Sequence, residues 1–152
     1  MVYINAISSN ATLTTDVKEL IPNALLRRRM SEIVKSGVSV GMECINKVGA
    51  EKIDAIITAT GLGCLADSEK FLKIILDNNE ELLNPTPFIQ STFNTVGGQI
   101  ALMCKNHSYN MTYTHRGTSF EAALLDAVSL IENADAENVL LGAFDYNTPT
   151  LV

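Results

Sequence analysis

Apolar and polar residues follow two different periods along this chain, and the periods predict an alternation of strands and helices. Short runs of apolar or β-branched residues, typical of strands, occupy residues 2–8, 53–60, 109–115 and 137–144. Apolar residues at helical spacing occupy residues 22–49, 67–79, 91–106 and 119–133. This order predicts an α/β fold in which helices cover both faces of a mixed, mostly parallel sheet.

Glycines within two of these helices add a packing prediction. Gly37 and Gly41 fall on the apolar stripe of helix 22–49, and Gly97 and Gly98 interrupt helix 91–106. A glycine inside a helix costs about 1 kcal/mol relative to alanine, so these positions favour close contact with another element. The helix over 22–49 is predicted to begin at Pro22 and to end at Gly49.

Composition narrows the class of protein. The 152 residues predict a single domain spanning 1–152, and 47% hydrophobic with 18% charged residues indicates either a generous core or apolar surface covered by a partner. The net charge of -6, with a single basic cluster at 27–29, argues against nucleic-acid binding. No run of 18 apolar residues and no leader pattern occurs, so we expect a cytoplasmic protein without a membrane span.

The cysteines and glycine turns give no sign of a metal or cofactor. Cys44, Cys64 and Cys104 are far apart and lack CxxC spacing, which indicates apolar thiols in a reducing compartment. The segment "GLG" at 61–63 follows a predicted strand but lacks the remaining residues of a phosphate-binding loop. We therefore expect no cofactor and no metal.

The segment "TYTHRGTSFEAAL", residues 112–124, is the place where chemistry would be expected, because a strand runs there through a tight turn into a helix. Helix N-termini at such turns stabilise anions, and many enzymes place a nucleophile there. This turn holds no cysteine. Ser119 with His115 is a candidate nucleophile and base, whereas Thr118 with Glu121 fits a helix-capping box, which is the favoured interpretation.

Four segments in collinear order resemble the N-terminal half of a β-ketoacyl synthase of the thiolase-like superfamily, in particular its chain-length-factor-like branch. They are "GLGCLADSEKFL", "NPTPFIQSTFNTVGGQIAL", "YNMTYTHRGTSFEAALLDA" and "VLLGAFD". The resemblance implies a thiolase-like half, with the condensing cysteine of the family at the turn before "SFEAAL". Gly117 occupies that position, and a shift of one residue would offer Arg116 or Thr118. His107 and His115 match neither of the two histidines that the family carries in its C-terminal half.

The resemblance implies a truncated, catalytically silent synthase-like subunit of a bacterial fatty-acid-like or polyketide-like pathway. Such a subunit would pair with itself or with an active ketosynthase, through residues 109–114 and the helix over 93–105. An alternative from another class is a module that binds an acyl carrier protein or an acyl thioester, with the cluster at 27–29 as a basic contact. A weak hydrolase using Ser119 and His115 is the third hypothesis. The sequence leaves the pathway, the acyl chain and the partner open.

Overall fold

A computed structural model describes residues 1–148 and 150–151 of the chain, and it contains a parallel sheet with helices on both faces. This confirms the predicted fold class. The helices are α1 (Val17–Leu20), α2 (Ala24–Arg29), α3 (Glu32–Val48), α4 (Leu65–Asp77), α5 (Pro85–Ser91), α6 (Thr95–Cys104) and α7 (Ser119–Glu132). The strands are β1 (Ala55–Ala59), β2 (Tyr109–Tyr113) and β3 (Val139–Ala143), and 3-10 turns cover Ala50–Lys52 and Arg116–Thr118.

The sheet has the order β2-β1-β3, and both pairings of the central strand are parallel. Ala55 lies opposite Tyr109 on one side and Val139 on the other. Every residue of β1 is buried, which is the pattern of a strand covered on both faces and explains its continuous apolar run. Within the described residues, β2 and β3 each have one neighbouring strand, so the sheet has two open edges.

The two faces of the sheet are covered differently. Helices α3 and α6 cover one face with a large cluster of buried aliphatic residues that includes Val38, Ile56 and Ile100. Within the part of the chain that the structure describes, helix α7 covers the other face, where the buried cluster is Ile57, Ala59, Ala123 and Ala127. The carboxyl ends of all three strands therefore emerge between these two helical layers.

Glycines of α3 allow the close approach to α6 that the sequence predicts. A Cβ atom on Gly37 would lie 2.9 Å from a methyl group of Val96, and one on Gly41 would lie 2.6 Å from Ile100. Gly97 likewise packs against Thr58 and Asn110, whereas a Cβ atom on Gly98 would meet nothing within 4 Å. The packing prediction is confirmed for Gly37, Gly41 and Gly97, and it is wrong for Gly98.

The predicted strand over residues 2–8 is absent, so this prediction is wrong. The segment touches the rest of the chain through side chains: Asn5 Nδ2 donates to Asn138 Oδ1 at 3.1 Å, and Lys47 Nζ donates to the carbonyl of Ile7 at 3.2 Å. A strand requires a neighbouring backbone at hydrogen-bonding distance, and apolar composition alone does not supply one. Ile4 and Ile7 are accordingly 83% and 77% exposed.

Two helices, α2 and α3, occupy the region predicted as one helix over 22–49, so the prediction of a continuous helix is wrong. Asn23 caps the first, because its Oδ1 accepts the N–H groups of Leu25 and Leu26. Met30 and Ser31 then adopt extended backbone angles, with ψ of 132° and 168°, before α3 begins. Gly49 ends α3 with φ of 109°, as predicted. The interruption lets Met30 turn inward, where it is 6% exposed.

None of the helices in the described part of the chain combines the length and apolar character that crossing a membrane requires.

Candidate functional site

The carboxyl ends of the three strands converge on one small region, which is where parallel α/β sheets bind ligands. Thr60 follows β1, the turn 115–118 follows β2, and Asp145 lies just beyond β3. The backbone N–H of Thr60 donates to the carbonyl of Tyr113 at 3.0 Å, so the first two ends remain in register beyond the strands. This region contains the turn that the sequence singles out.

Asp145 ties the end of β3 to the loop that follows β1. Its carboxylate accepts the hydroxyl of Thr60 at 2.8 Å, the N–H of Gly61 at 3.0 Å and the N–H of Leu62 at 2.8 Å. Two backbone donors and a hydroxyl on one carboxylate fix the glycine loop at 61–63. Asp145 was not among the sequence-predicted site residues, although an acidic residue directly after a buried parallel strand is a signal that could have identified it.

The hydroxyl of Ser119 is bonded to backbone carbonyls. Ser119 is 3% exposed, and its hydroxyl, which has one hydrogen to donate, lies 2.8 Å from the carbonyl oxygen of Thr60 and 2.8 Å from that of Arg116. Among the described residues it makes no hydrogen bond to His115, whose ring instead packs edge-on against Tyr113 with centroids 5.9 Å apart. The geometry thus gives Ser119 a bridging role between the turn and β1, and its use as a nucleophile stays a prediction.

The predicted capping box at the start of α7 is not formed. The side chain of Thr118 caps no N–H of the helix, and its Oγ1 donates to the carbonyl of His115 at 3.1 Å. A 3-10 turn over Arg116–Thr118 precedes α7 and places Thr118 outside the extended conformation that a capping residue needs. This prediction is therefore wrong, and among the described residues no side chain caps the first turn of α7.

Gly117 stands at the turn with free space around it. A Cβ atom on Gly117 would meet nothing within 4 Å, so the turn has room for a larger side chain. The neighbouring Arg116, not the glycine, has the left-handed backbone, with φ of 54°. Its carbonyl lies against Gly61, where an added Cβ atom would be 3.2 Å from that oxygen. The turn therefore packs against the loop after β1 on the side of Arg116 and is open on the side of Gly117.

The three thiols of the chain are poorly suited to nucleophilic chemistry. Cys64 is 1% exposed, and burial together with the nearby Asp67 carboxylate raises its pKa to about 12. Burial also raises the pKa of Cys44 and of Cys104. A reactive cysteine needs a lowered pKa and exposure, so these residues behave as packing groups. In the described ranges, no three metal-ligating side chains come together.

The sequence matches a family model along nearly its whole length. Residues 5–151 match the N-terminal domain of the β-ketoacyl synthases. The chain belongs to the β-ketoacyl synthase family. This confirms the resemblance carried by the four sequence segments, whereas the placement of Gly117 at the family's nucleophile position stays a prediction. No curated protein matches the chain.

Solved structures of ketosynthases share the fold of this chain. A ketosynthase in complex with its chain length factor from Xenorhabdus doucetiae is 25% identical, with a TM-score of 0.71 over 82% of this chain and 50% of that one. A type II polyketide ketosynthase in complex with an acyl carrier protein is 20% identical, with a TM-score of 0.70 over 90% of this chain and 41% of that one. The ishigamide ketosynthase/chain length factor is 15% identical, with a TM-score of 0.69 over 82% of this chain and 37% of that one.

These comparisons identify a thiolase-like ketosynthase fold. This chain spans half or less of the length of each of the three solved chains.

Proposed function

We propose that this protein is a catalytically silent ketosynthase-like subunit that acts by pairing, either with itself or with an active ketosynthase. The observation that carries the proposal is Gly117, which leaves the turn before α7 without a nucleophile. The proposed setting is a fatty-acid-like or polyketide-like pathway in the cytoplasm of a bacterium. In this role the protein would resemble a chain length factor.

Thioester exchange requires a thiolate, and nothing near the turn supplies one. The residues at 115–119 offer an imidazole, a guanidinium and two hydroxyls, and the buried hydroxyl of Ser119 is already bonded to two carbonyls. Incubation with acyl-carrier and malonyl-carrier substrates is expected to give no ketoacyl product and no acylated protein by mass spectrometry. An acyl adduct on any residue from 115 to 119 would contradict the proposal that the protein is catalytically silent.

Restoring the thiol tests whether Gly117 occupies the nucleophile position. In the Gly117→Cys variant, the positive end of the α7 dipole is expected to lower the pKa of the new thiol below the ordinary value of about 8.5. Gly142→Cys is the matched control, because it also adds a side chain where nothing lies within 4 Å but is on strand β3 and not in the first turn of a helix. The pH dependence of iodoacetamide alkylation measures both pKa values, and equal values would contradict the assignment.

The open edge at β2 supports the pairing part of the proposal. Tyr109 and Met111 are each 40% exposed, and the strand carries neither a charge nor a proline to discourage a second strand. The carbonyl of Tyr113 faces β1, so by the two-residue period the N–H of Thr112 faces outward. Phe93 and Leu102, 50% and 68% exposed, continue an apolar surface on and beside α6.

Thr112→Pro removes the outward backbone N–H of residue 112 on the open edge of β2 and is expected to abolish pairing with a second subunit. The control is Thr112→Val, which keeps the donor but loses the hydroxyl contact of 2.8 Å between Thr112 and Thr58. Light scattering at micromolar concentration, with and without an active ketosynthase, distinguishes the two variants. A monomeric unmodified chain that also fails to bind a ketosynthase would remove the pairing proposal.

Arg28 and Arg29 favour a second candidate, a module that binds an acyl carrier protein. Both side chains are exposed at the end of α2, beside Leu25, which is 67% exposed. The ion pair found within the described residues joins Lys35 to Glu32, so neither arginine is neutralised there. A carrier-protein pull-down that is lost in the Arg28→Glu, Arg29→Glu double variant would favour this candidate. The Lys52→Glu, Lys105→Glu double variant, at two other exposed positions, serves as the charge-matched control.

A further inference from the structure

A cavity lies between α3 and the face of the sheet that α3 and α6 cover. Its volume is about 600 Å³, within the range of about 300–1,000 Å³ typical of sites that hold small molecules. Thr58 and Gly142, which are partners in the register of β1 and β3, lie at the sheet side of the cavity. A Cβ atom on Gly142 would meet nothing within 4 Å, so the absence of a side chain there leaves space below α3.

The interior walls of the cavity are apolar and hidden from solvent. Ile33 of α3 and Val96 and Ile100 of α6 line it, and all three are buried. An empty cavity of this size would forfeit more packing free energy than a domain of this length can spare. Water against such walls finds few hydrogen-bond partners, so an apolar group displaces it favourably. The interior therefore suits a hydrocarbon chain.

A polar segment, residues 8–11, lies across the mouth of the cavity. Just beyond it, Glu43 of α3 accepts the N–H of Thr14 at 2.9 Å and its hydroxyl at 2.7 Å, which fixes the segment to the helix. At the mouth itself, Ser36 Oγ donates to Asn10 Oδ1 at 2.7 Å. Ser36 and Asn10 both line the cavity, so its entrance offers an amide and a hydroxyl, which are neutral hydrogen-bonding groups.

The charged side chains around the cavity distinguish neutral from ionised ligands. Among the described residues, those that line it are two carboxylates, Glu32 and Asp145, with no lysine, arginine or histidine. Glu32 is paired with Lys35 at 3.6 Å, and Asp145 accepts hydrogen bonds from the loop after β1, so both carboxylates are already engaged. A ligand with a carboxylate or phosphate would meet negative charge without a cation to bind it, whereas an uncharged hydroxyl would meet Asn10 and Ser36.

We propose that this cavity binds an uncharged amphiphile of the medium-chain alcohol class. The hydrocarbon chain lies between α3 and Gly142, and the hydroxyl group binds Asn10 and Ser36 at the mouth. Within the described part of the chain, neither the turn at 115–118 nor the edge strand β2 lines the cavity. The proposal is therefore independent of the proposed pairing and of the proposed lack of catalysis.

Alkylation of Cys44 reports on occupancy, because Cys44 lines the cavity, whereas Cys104 is not among the described residues that line it. Burial raises the pKa of both thiols, so iodoacetamide labelling at alkaline pH, followed by mass spectrometry, compares them in one protein. Saturating decan-1-ol is expected to slow the labelling of Cys44 several-fold and to leave that of Cys104 unchanged. Decanoate, with the same chain length and a carboxylate, is the matched ligand and is expected to give little protection.

Two variants test the two ends of the proposed ligand. Gly142→Leu fills the interior and is expected to abolish the protection of Cys44. Gly98→Leu, which also adds a side chain where nothing lies within 4 Å but outside the cavity, is its control. Asn10→Ala changes an exposed residue and is expected to weaken the binding of decan-1-ol several-fold.

Several results would overturn the proposal. They are no protection of Cys44 by decan-1-ol, equal protection by decanoate, equal slowing at Cys104, full protection in the Gly142→Leu variant, or unchanged affinity in the Asn10→Ala variant. Because the comparison of the two ligands and the Asn10→Ala variant leave the core untouched, the test does not depend on the folding of Gly142→Leu.

Discussion

The two faces of the sheet differ in the size of the side chains that cover them. Under α3 and α6, long aliphatic side chains such as Ile45, Ile56 and Ile100 interlock in one large cluster. Under α7, Ala123 and Ala127 bring the helix close to the sheet, and few large side chains are buried. The outer side of α7 reverses this, since Phe120, Leu124 and Leu125 are 46%, 44% and 69% exposed.

This difference between the two faces accounts for the high hydrophobic fraction of the chain. One face holds a complete core, whereas α7 carries large apolar residues on the side that faces away from the sheet. A helix with apolar residues all round is the pattern of an element buried between two layers. The 47% hydrophobic fraction therefore reflects both a substantial core and an uncovered helix face.

The largest expected effect comes from two neighbouring isoleucines that face opposite sides of β1. Ile56 and Ile57 are both 0% exposed, and they belong to the α3/α6 cluster and the α7 cluster respectively. Ile56→Ala is expected to cost near the upper end of about 2–5 kcal/mol, because the interlocked side chains around it cannot collapse into the cavity. Ile57→Ala is expected near the lower end. Urea unfolding measures both, and equal losses would contradict the asymmetry.

Lowering the pH is expected to reduce the free energy of unfolding through Glu43, a buried residue of α3. Its carboxylate is buried, and hydrogen bonds from the hydroxyl of Ser8, and from the hydroxyl and N–H of Thr14, lower its pKa from 4.5 to about 2. A lowered pKa contributes stability that is present above pH 4.5 and is lost as the pH falls toward 2.

Glu43→Gln should remove this acid-dependent loss and lower stability at neutral pH. The pH dependence of the urea midpoint tests this, with Glu32→Gln as the control at an exposed carboxylate. A variant profile that still falls between pH 4.5 and 2 as steeply as the parent would contradict the role of Glu43.

A smaller effect is expected at the strand ends, from Ser119→Ala. The change removes the hydroxyl within hydrogen-bonding distance of the carbonyl of Thr60, a residue that is 1% exposed, and loss of the donor to a buried acceptor costs about 1–3 kcal/mol. Any esterase activity of the preparation should be unchanged, because the hydroxyl acts on the backbone. Loss of such activity with unchanged stability would instead support the hydrolase hypothesis.

The smallest effect on stability is expected on the outer face of α7. Leu125→Ser in the isolated chain should change the free energy of unfolding by no more than about 0.5 kcal/mol, because the side chain is 69% exposed. If a partner layer covers α7, the same change should weaken its binding. Lys105→Ser, on another surface, is the control for binding. A large stability loss would mean that this face is already covered by the chain.

The elements that the sequence predicts best are those with a local signal. β1, β2, β3, α4 and α7 lie within about two residues of their predicted bounds, because continuous apolar runs and helical periodicity mark them. The segment 2–8 has strand composition as well, but its pairing depends on a distant backbone that composition does not report. The break at Met30 and Ser31 depends on local backbone angles that a continuous apolar stripe conceals.

The candidate site was predictable in part. The turn at 115–119 and the missing thiol follow from the strand-turn-helix pattern and the family resemblance. The hydrogen bonds of Asp145 to the loop after β1, and that of Ser119 to Thr60, join residues that are far apart in sequence. They therefore cannot be predicted without knowing that the strand ends lie together. The capping box failed because the 3-10 turn over Arg116–Thr118 competes with it.

The strand order has a consequence for the time course of folding. The central strand β1 pairs with β2 and β3, both of which are synthesised after it and are separated from it by long stretches of chain. Contacts between residues distant in sequence form slowly, because the entropy cost of closing a long loop comes before the stabilising contacts are made. During synthesis, β1 therefore emerges before both of its pairing strands, when only α3 of the helices in its buried cluster has been made. Over that interval, we expect β1 to be prone to aggregation until α6 covers it.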